Sequence, residues 1–345
     1  MRKILMAGTM LAASMALVAY SNASLAKAAS AATETISATA PEATVNRKHK
    51  SAAKKRAVLA DKSKAAKRHK SKKMHAAKAD TGTGPLKLES SAALVFDEDA
   101  AVPLYSKNST SMQSIASITK LMTAMVVLDA QLPMDDKITV EYADVDTLRN
   151  SSSRLAVGTT LSRGEMLRLA LMSSENRAAS ALARTYPGGL VAFVDAMNRK
   201  AVALGMQRTR FVDSSGLHSE NVSTAEDLVK MVKAGYGYEV IREFTTTAAY
   251  DVEVNGSRRN LAFKNTNALV KSKEWDIGLS KTGYITEAGR CLVMHANIAS
   301  KQVIIVLLDS WGKYTRIGDA NRIKKWVENA NHGRVARVIQ ASNGV

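Results

Sequence analysis

Ser114 to Leu128 reads S-I-A-S-I-T-K-L-M-T-A-M-V-V-L, and this stretch limits the chain's folding options most. Ile118, Leu121, Met122, Met125 and Val126 recur at i, i+3, i+4, i+7 and i+8, one face of an α-helix. The other faces are nearly free of charge, so protein must wrap this helix on most sides. Lys120 is its one charge, three residues after Ser117, a spacing that sets amine and hydroxyl on the same side of the first turn. A serine at a helix N-terminus also meets unpaired backbone N–H groups and the positive end of the dipole. A serine with its own lysine base is the makings of a nucleophile. The spacing alone decides nothing, because Ser24–Lys27, Ser51–Lys54 and Ser310–Lys313 repeat it.

At 345 residues with 46% hydrophobic content, the chain has material for one large domain or two small ones. Its single cysteine, Cys291, excludes an intramolecular disulfide, and the six histidines form no H-E-x-x-H pattern. No metal site and no cofactor are expected. The formal charge of +18 suggests a polyanion partner, but it is unevenly placed.

Met1-Arg2-Lys3, an apolar run from Ile4 to about Tyr20 and the A-x-A site Ala26-Lys27-Ala28 make residues 1–28 a signal peptide, with an uncleaved anchor as the alternative. Export to the periplasm follows, soluble or peripherally attached. Residues 29–80 are a disordered Ala- and Lys-rich linker, whose segment from Arg47 to Lys78 carries many cations against one acid, Asp61. It either docks electrostatically on anionic wall or lipid groups or serves as an extended tether; export removes nucleic acid from the candidates.

The folded domain is placed at 81–335, with a flexible tail at 336–345. Ala92–Phe96 and Val102–Tyr105 around Asp97-Glu98-Asp99 predict a hairpin. Capping boxes at Ser162–Glu165 and Ser223–Glu226 open helices to Met172 and Ala234. Between them lie an Ala-rich helix to about Tyr186 and a helix from Val191 to Leu204. Strands return from about Thr246, with a hairpin turn at Asn255-Gly256 and a buried hairpin, Arg290–Ile298 and Gln302–Asp309, turning at Ser300-Lys301. A helix from Tyr314 to about Ala330 packs through Ile317, Ile323, Trp326 and Val327. The resulting expectation is an α/β chain of α+β type: one antiparallel sheet from the terminal segments, flanked by helices, with an all-helical insertion.

Three short elements carry chemistry in this order: Ser117-Ile118-Thr119-Lys120, Ser174-Glu175-Asn176 and Lys281-Thr282-Gly283. Together they are the set found in penicillin-binding proteins and class A β-lactamases. From about Ala92 to Val327 the chain resembles the low-molecular-mass penicillin-binding proteins, serine D-alanyl-D-alanine peptidases of bacterial walls. It is most similar to their periplasmic D-alanyl-D-alanine endopeptidase subgroup. Shared stretches include L-A-L-M-S-S-E-N-R-A-A-S, Asn221 to Ala225, Asn265-Thr266-Asn267 and K-T-G-Y-I-T-E-A-G-R-C-L-V-M.

The resemblance implies a penicillin-binding, β-lactamase-like transpeptidase fold, stem peptides of peptidoglycan as substrate and β-lactams as covalent inhibitors. It implies that Ser117 attacks a D-Ala carbonyl and Lys120 takes its proton, its pKa lowered by burial beside a cation such as Lys281. Ser174 passes a proton to the leaving amine, and Asn176 holds Lys120 and the substrate amide. The N–H groups of Ser117 and Tyr284 form the oxyanion hole. Lys281 and Thr282 bind the carboxylate beside the scissile bond, Gly283 lets the substrate backbone approach, and Arg316 sits where some relatives place a carboxylate-binding arginine.

Plainer readings stand beside these: Ser117 and Ser174 as helix caps, Lys281 as a solvated edge charge, Cys291 as a core residue. Endopeptidase cleavage of D-Ala–diaminopimelate cross-links and carboxypeptidase removal of a terminal D-Ala share every motif. A β-lactamase is disfavoured by the lack of E-x-x-L-N between Asn176 and Lys281, and a non-catalytic penicillin sensor by the presence of all three motifs.

Overall fold

The computed structural model describes residues 85–254 and 260–342, with side chains to residue 331. These belong to one compact unit, His75–Val345. The signal peptide, the basic linker and the Asn255-Gly256 turn lie outside the described residues.

Strands β1 (Ala92–Asp97) and β2 (Val102–Lys107) form the first hairpin, as their apolar runs predict. A short strand, β3 (Gln113–Ser114), leads into a 3₁₀ turn, Ala116–Ile118, and helix α1 (Thr119–Asp129). Strand β4 (Lys137–Thr139) pairs with β5 (Thr160–Ser162). Then come α2 (Arg163–Met172), α3 (Asn176–Arg184) and α4 (Gly189–Ala203). Strand β6 (Val222–Ser223) pairs back onto β3, followed by α5 (Ala225–Tyr236) and α6 (Glu239–Thr246). Strands β7 (Ala249–Glu253) and β8 (Asn260–Lys264) pair with each other. The chain closes through β9 (Asp276–Ile285), β10 (Gly289–Ile298), β11 (Lys301–Ser310) and α7 (Thr315–Ser342).

The main sheet is antiparallel in the order β2-β1-β11-β10-β9, so the two ends of the domain form one sheet and the helices between them are the insertion. Its central strands are apolar on both faces because both are covered. One face, with Ala93, Val95, Leu292, Met294 and Leu307, packs on Ala320, Ile323 and Val327 of α7. The other, with Leu94, Val293, Ile304 and Val306, packs on the helical layer, and α1 is enclosed there from Thr119 to Val127. The polar members of α1 are satisfied internally: Thr123 Oγ1 donates to the Ser214 carbonyl at 2.6 Å.

Local signals account for most boundaries. Ser162 and Glu165 cap α2 reciprocally, at 3.1 and 2.7 Å. The cap of α5 is Thr224, which accepts from Asp227 N; the box expected at Ser223–Glu226 is displaced by one residue because Ser223 is held in β6 and bonds Thr209. The β10–β11 turn is Ala299-Ser300, both at positive φ, one residue before the expected position. Helix α6 was not expected: eight residues with Ile241 and Phe244 as buried contacts give too short a period to read. Helix α7 continues past Ala330 and past the boundary set at 335, since no proline follows Thr315 to stop it. No helix among the described residues is long and apolar enough to cross a membrane.

Candidate active site

Edge strand β9 runs past the N-terminal side of α1, bringing the three motif segments together. Ser117 lies in the 3₁₀ turn, one residue before the N-cap of α1. Ala116 before it has φ +46°, a left-handed conformation that costs a non-glycine residue about 1–3 kcal/mol. Two glycines hold it there. A Cβ on Gly216 would stand 2.0 Å from Ala116 O and 2.8 Å from Ser117 N; one on Gly283 would stand 2.9 Å from Ile115 O and 3.1 Å from Ser117 N. Gly283 therefore admits the chain's own backbone at Ser117, a close approach that a side chain would block.

Lys120 is fully buried, and its Nζ has three neighbours: Ser117 Oγ at 2.9 Å, Asn176 Oδ1 at 2.7 Å and the Ser215 carbonyl at 2.6 Å. The last two are pure acceptors. A neutral amine has two N–H donors and one lone pair, so serving both acceptors turns the lone pair toward the Ser117 hydroxyl. Burial brings the amine down to a pKa of about 7, against the opposing pull of Asp213 and Glu175. Burial is the part of the expectation that the structure bears out; the neighbouring cation Lys281 is not among the causes. Asn176 Nδ2 donates to Ser151 Oγ at 2.9 Å, which keeps its carbonyl aimed at Lys120.

Ser174 does not cap α3; Glu175 occupies that position without a side-chain cap. With φ +63°, Ser174 turns its Oγ to accept from Lys281 Nζ at 2.9 Å. Lys281 is 1% exposed, so it is no solvated edge charge, and it also donates to the Thr282 carbonyl at 2.8 Å. Burial first, then the charges of Lys120 and Arg316, hold its ammonium well below the ordinary lysine range. Thr282 Oγ1 donates to Thr266 Oγ1 at 2.7 Å. Arg316, at the start of α7, reaches across to donate from Nη1 to the Gly283 carbonyl at 3.3 Å. Tyr284 is 55% exposed, with the Arg290 guanidinium 4.5 Å over its ring. Cys291 is a buried core residue whose thiol burial pushes up to about 11.

Such an arrangement can take the proton of a serine that attacks a carbonyl, through the Lys120 amine, and hold an anion beside it, through Lys281 and Arg316. A family model described as D-alanyl-D-alanine carboxypeptidase, peptidase S11, matches residues 73–312. The chain belongs to that family. This S11 chain is 48% identical over 255 residues to a D-alanyl-D-alanine endopeptidase of Pseudomonas aeruginosa, covering 74% of this chain and 81% of that one. It is 45% identical over 266 residues to a D-alanyl-D-alanine endopeptidase of Escherichia coli, covering 77% and 84%. Among solved structures it is similar to a Streptomyces DD-transpeptidase, with TM-score 0.66 and 31% identity, covering 71% of this chain and 98% of that one. The S11 chain is a serine-type hydrolase with the expected penicillin-binding fold.

Sequence reasoning missed Ser215, Gly216, Ser151 and Thr266 in the peptidase site. The run Asp213-Ser214-Ser215-Gly216 held a readable turn signal: Asp213 Oδ1 accepts from Ser215 N at 2.6 Å and Gly216 N at 2.5 Å. What it could not reveal is that this turn packs against Ser117 and Lys120.

Proposed function

We propose that this protein hydrolyses D-Ala–diaminopimelate cross-links of peptidoglycan through an acyl-enzyme on Ser117. The carrying observation is the Lys120 amine, whose two acceptor partners leave its lone pair for the Ser117 hydroxyl. The endopeptidase names of the relatives at 48% and 45% identity support the cross-link as substrate.

In this reading Lys120 takes the Ser117 proton as Oγ bonds to the D-Ala carbonyl carbon. The N–H groups of Ser117 and Tyr284 receive the oxyanion, a contribution of about 3–4 kcal/mol per donor in comparable sites. Ser174, tied to Lys281, returns a proton to the departing amine, and Asn176 orients Lys120 and the substrate amide. Lys281, Thr282 and Arg316 take the carboxylate beside the scissile bond, and its charge restores the ammonium of Lys281. Water then cleaves the ester. β-Lactams acylate the same serine.

The leader at residues 1–28 supports export to the periplasm, and the segment 47–78 supports contact with anionic wall or lipid groups. Carboxypeptidase action on a terminal D-Ala needs the same residues; several family relatives, including one of Bacillus subtilis at 33% identity, bear that name. Incubating the protein with cross-linked dimers and with uncross-linked pentapeptides, and weighing the products, separates the two. Cleavage of the terminal D-Ala alone overturns the endopeptidase reading. Mass spectrometry after penicillin treatment is expected to find one adduct, on the peptide containing Ser117.

A further inference from the structure

Beyond the carboxylate position the sheet ends in a surface that the reaction above leaves unused. Tyr284, Arg290 and Ser310 stand in one row across β9, β10 and β11. Two strand spacings, about 10 Å, separate the outer members. After Ser310 the chain turns through Trp311, Gly312, Lys313 and Tyr314 into α7. Trp311 is 88% exposed and Tyr314 71%, large aromatic rings with almost nothing packed on them. Lys313 Nζ stands 5.5 Å over the Tyr314 ring, as Arg290 stands over Tyr284.

The same end of the sheet is short of negative partners. Neither Arg290 nor Arg316 makes an ion pair among the described residues. Arg316 Nε is buried without a hydrogen-bond partner among the described residues, and burial first, then the charge of Arg290, lowers the pKa of Arg316. Two guanidiniums without an ion-pair partner, one over Tyr284 and one on the Gly283 carbonyl, offer an anion a place to bind. Exposed tryptophan, tyrosine and arginine are also the side chains that dominate binding where surfaces meet.

We propose that Tyr284, Arg290, Trp311, Lys313 and Tyr314 form a shelf for the leaving half of a cross-link, the second stem peptide with its carboxylates and methylene-rich diamino acid. The shelf continues directly from the carboxylate position through the Arg316–Gly283 bond. A terminal D-Ala ends at that carboxylate and never reaches the shelf; a cross-linked stem continues across it. Its aromatic faces take the methylenes and its cations take the further carboxylates. The inference rests on the endopeptidase reading and names what would make this site prefer a cross-link.

The test compares the full-length protein with Trp311→Ala/Tyr314→Ala and, separately, Arg290→Glu. Each is assayed on a cross-linked muropeptide dimer, on an uncross-linked pentapeptide and for its rate of acylation by penicillin. The shelf predicts that kcat/KM on the dimer falls about tenfold or more, mostly through KM, with pentapeptide cleavage and acylation unchanged in Trp311→Ala/Tyr314→Ala. It predicts a larger loss for Arg290→Glu at low salt than at high salt. Equal losses on both peptides would mean that these residues only support the fold, and overturn the proposal. Unchanged dimer cleavage in both variants overturns it as well. Wild-type protein that leaves the dimer intact overturns the endopeptidase reading itself and the shelf with it.

Discussion

The side-chain amide of Asn176 is held at both ends, its Oδ1 at 2.7 Å from the Lys120 amine and its Nδ2 at 2.9 Å from Ser151 Oγ. A carbonyl fixed in this way accepts from an amine without neutralising it. Burial holds Lys120 at a pKa of about 7 against the pull of Asp213 and Glu175, and its hydrogen-bonded partners carry no full charge to offset it.

Acylation should therefore depend on pH with a known sign. Lys120 is a base only when deprotonated, so the rate of penicillin acylation rises as pH rises through about 7. In the proposed reaction Lys281 binds the carboxylate as an ammonium, and its pKa is also depressed, so carboxylate recognition should weaken as pH rises. A bell-shaped profile of kcat/KM on a peptide carrying a free carboxylate is the expected result. An acid limb displaced to the ordinary carboxylate range would assign the base elsewhere.

Asn176→Asp puts a carboxylate where the amide oxygen is. The new charge favours the ammonium form of Lys120 and should move the acid limb upward by roughly 1–2 pH units. Stopped-flow acylation across the pH range checks this. A limb that stays in place would mean that Asn176 does not govern the amine.

Lys120→Ala and Lys281→Ala should fail differently. Losing the base should lower acylation by about 10²–10⁴-fold. Losing Lys281 should raise KM and lower kcat together for substrates with a carboxylate. Wild-type acylation by Lys120→Ala would remove it from the mechanism.

Gly216→Ala is a small change with a large expected effect. Its Cβ would fall 2.0 Å from a backbone oxygen, and Ala116 can yield only by moving Ser117. Displacement of a nucleophile by about 1 Å costs on the order of 10²-fold in rate. The melting temperature should drop too, while circular dichroism shows the fold retained at low temperature. Normal acylation by the folded variant would show that the pinch is dispensable.

The basic segment from Arg47 to Lys78 is expected to act on location and leave chemistry alone. Deleting residues 29–80 should not change cleavage of small muropeptides. It should reduce sedimentation with intact sacculi at low salt, with the difference vanishing at high salt. Equal sedimentation of both chains at low salt would leave the segment a spacer.

Much of this molecule was legible in its residues, because the signals were local or chemically specific. Ser162 and Glu165 marked the start of α2, the apolar run after Ser117 marked a central helix, and Lys281-Thr282-Gly283 fell on a strand before the final hairpin. Helix α6 was missed because Ile241 and Phe244 provide one i, i+3 pair and threonines follow. The supports of the site were missed for another reason. Ser215 acts through its main-chain carbonyl, Gly216 through a missing atom, and Ser151 and Thr266 through small hydroxyls. Main-chain groups and absent atoms leave no residue-type pattern, and the Lys120–Ser215 contact spans 95 positions of chain.

The peptide bond joining Ala116 to Ser117 is clasped between Gly216 and Gly283, one from the helical insertion and one from the closing sheet. Until both arrive, nothing holds Ala116 left-handed, and Ser117 and Lys120 are an ordinary serine and a protonated lysine in solvent. The proposed chemistry of Ser117 thus depends on the insertion and the closing sheet being packed together. A chain that ends before Gly283 has Ser117 and Lys120 but not the complete clasp, so the proposed chemistry is expected of it only once the whole domain has packed.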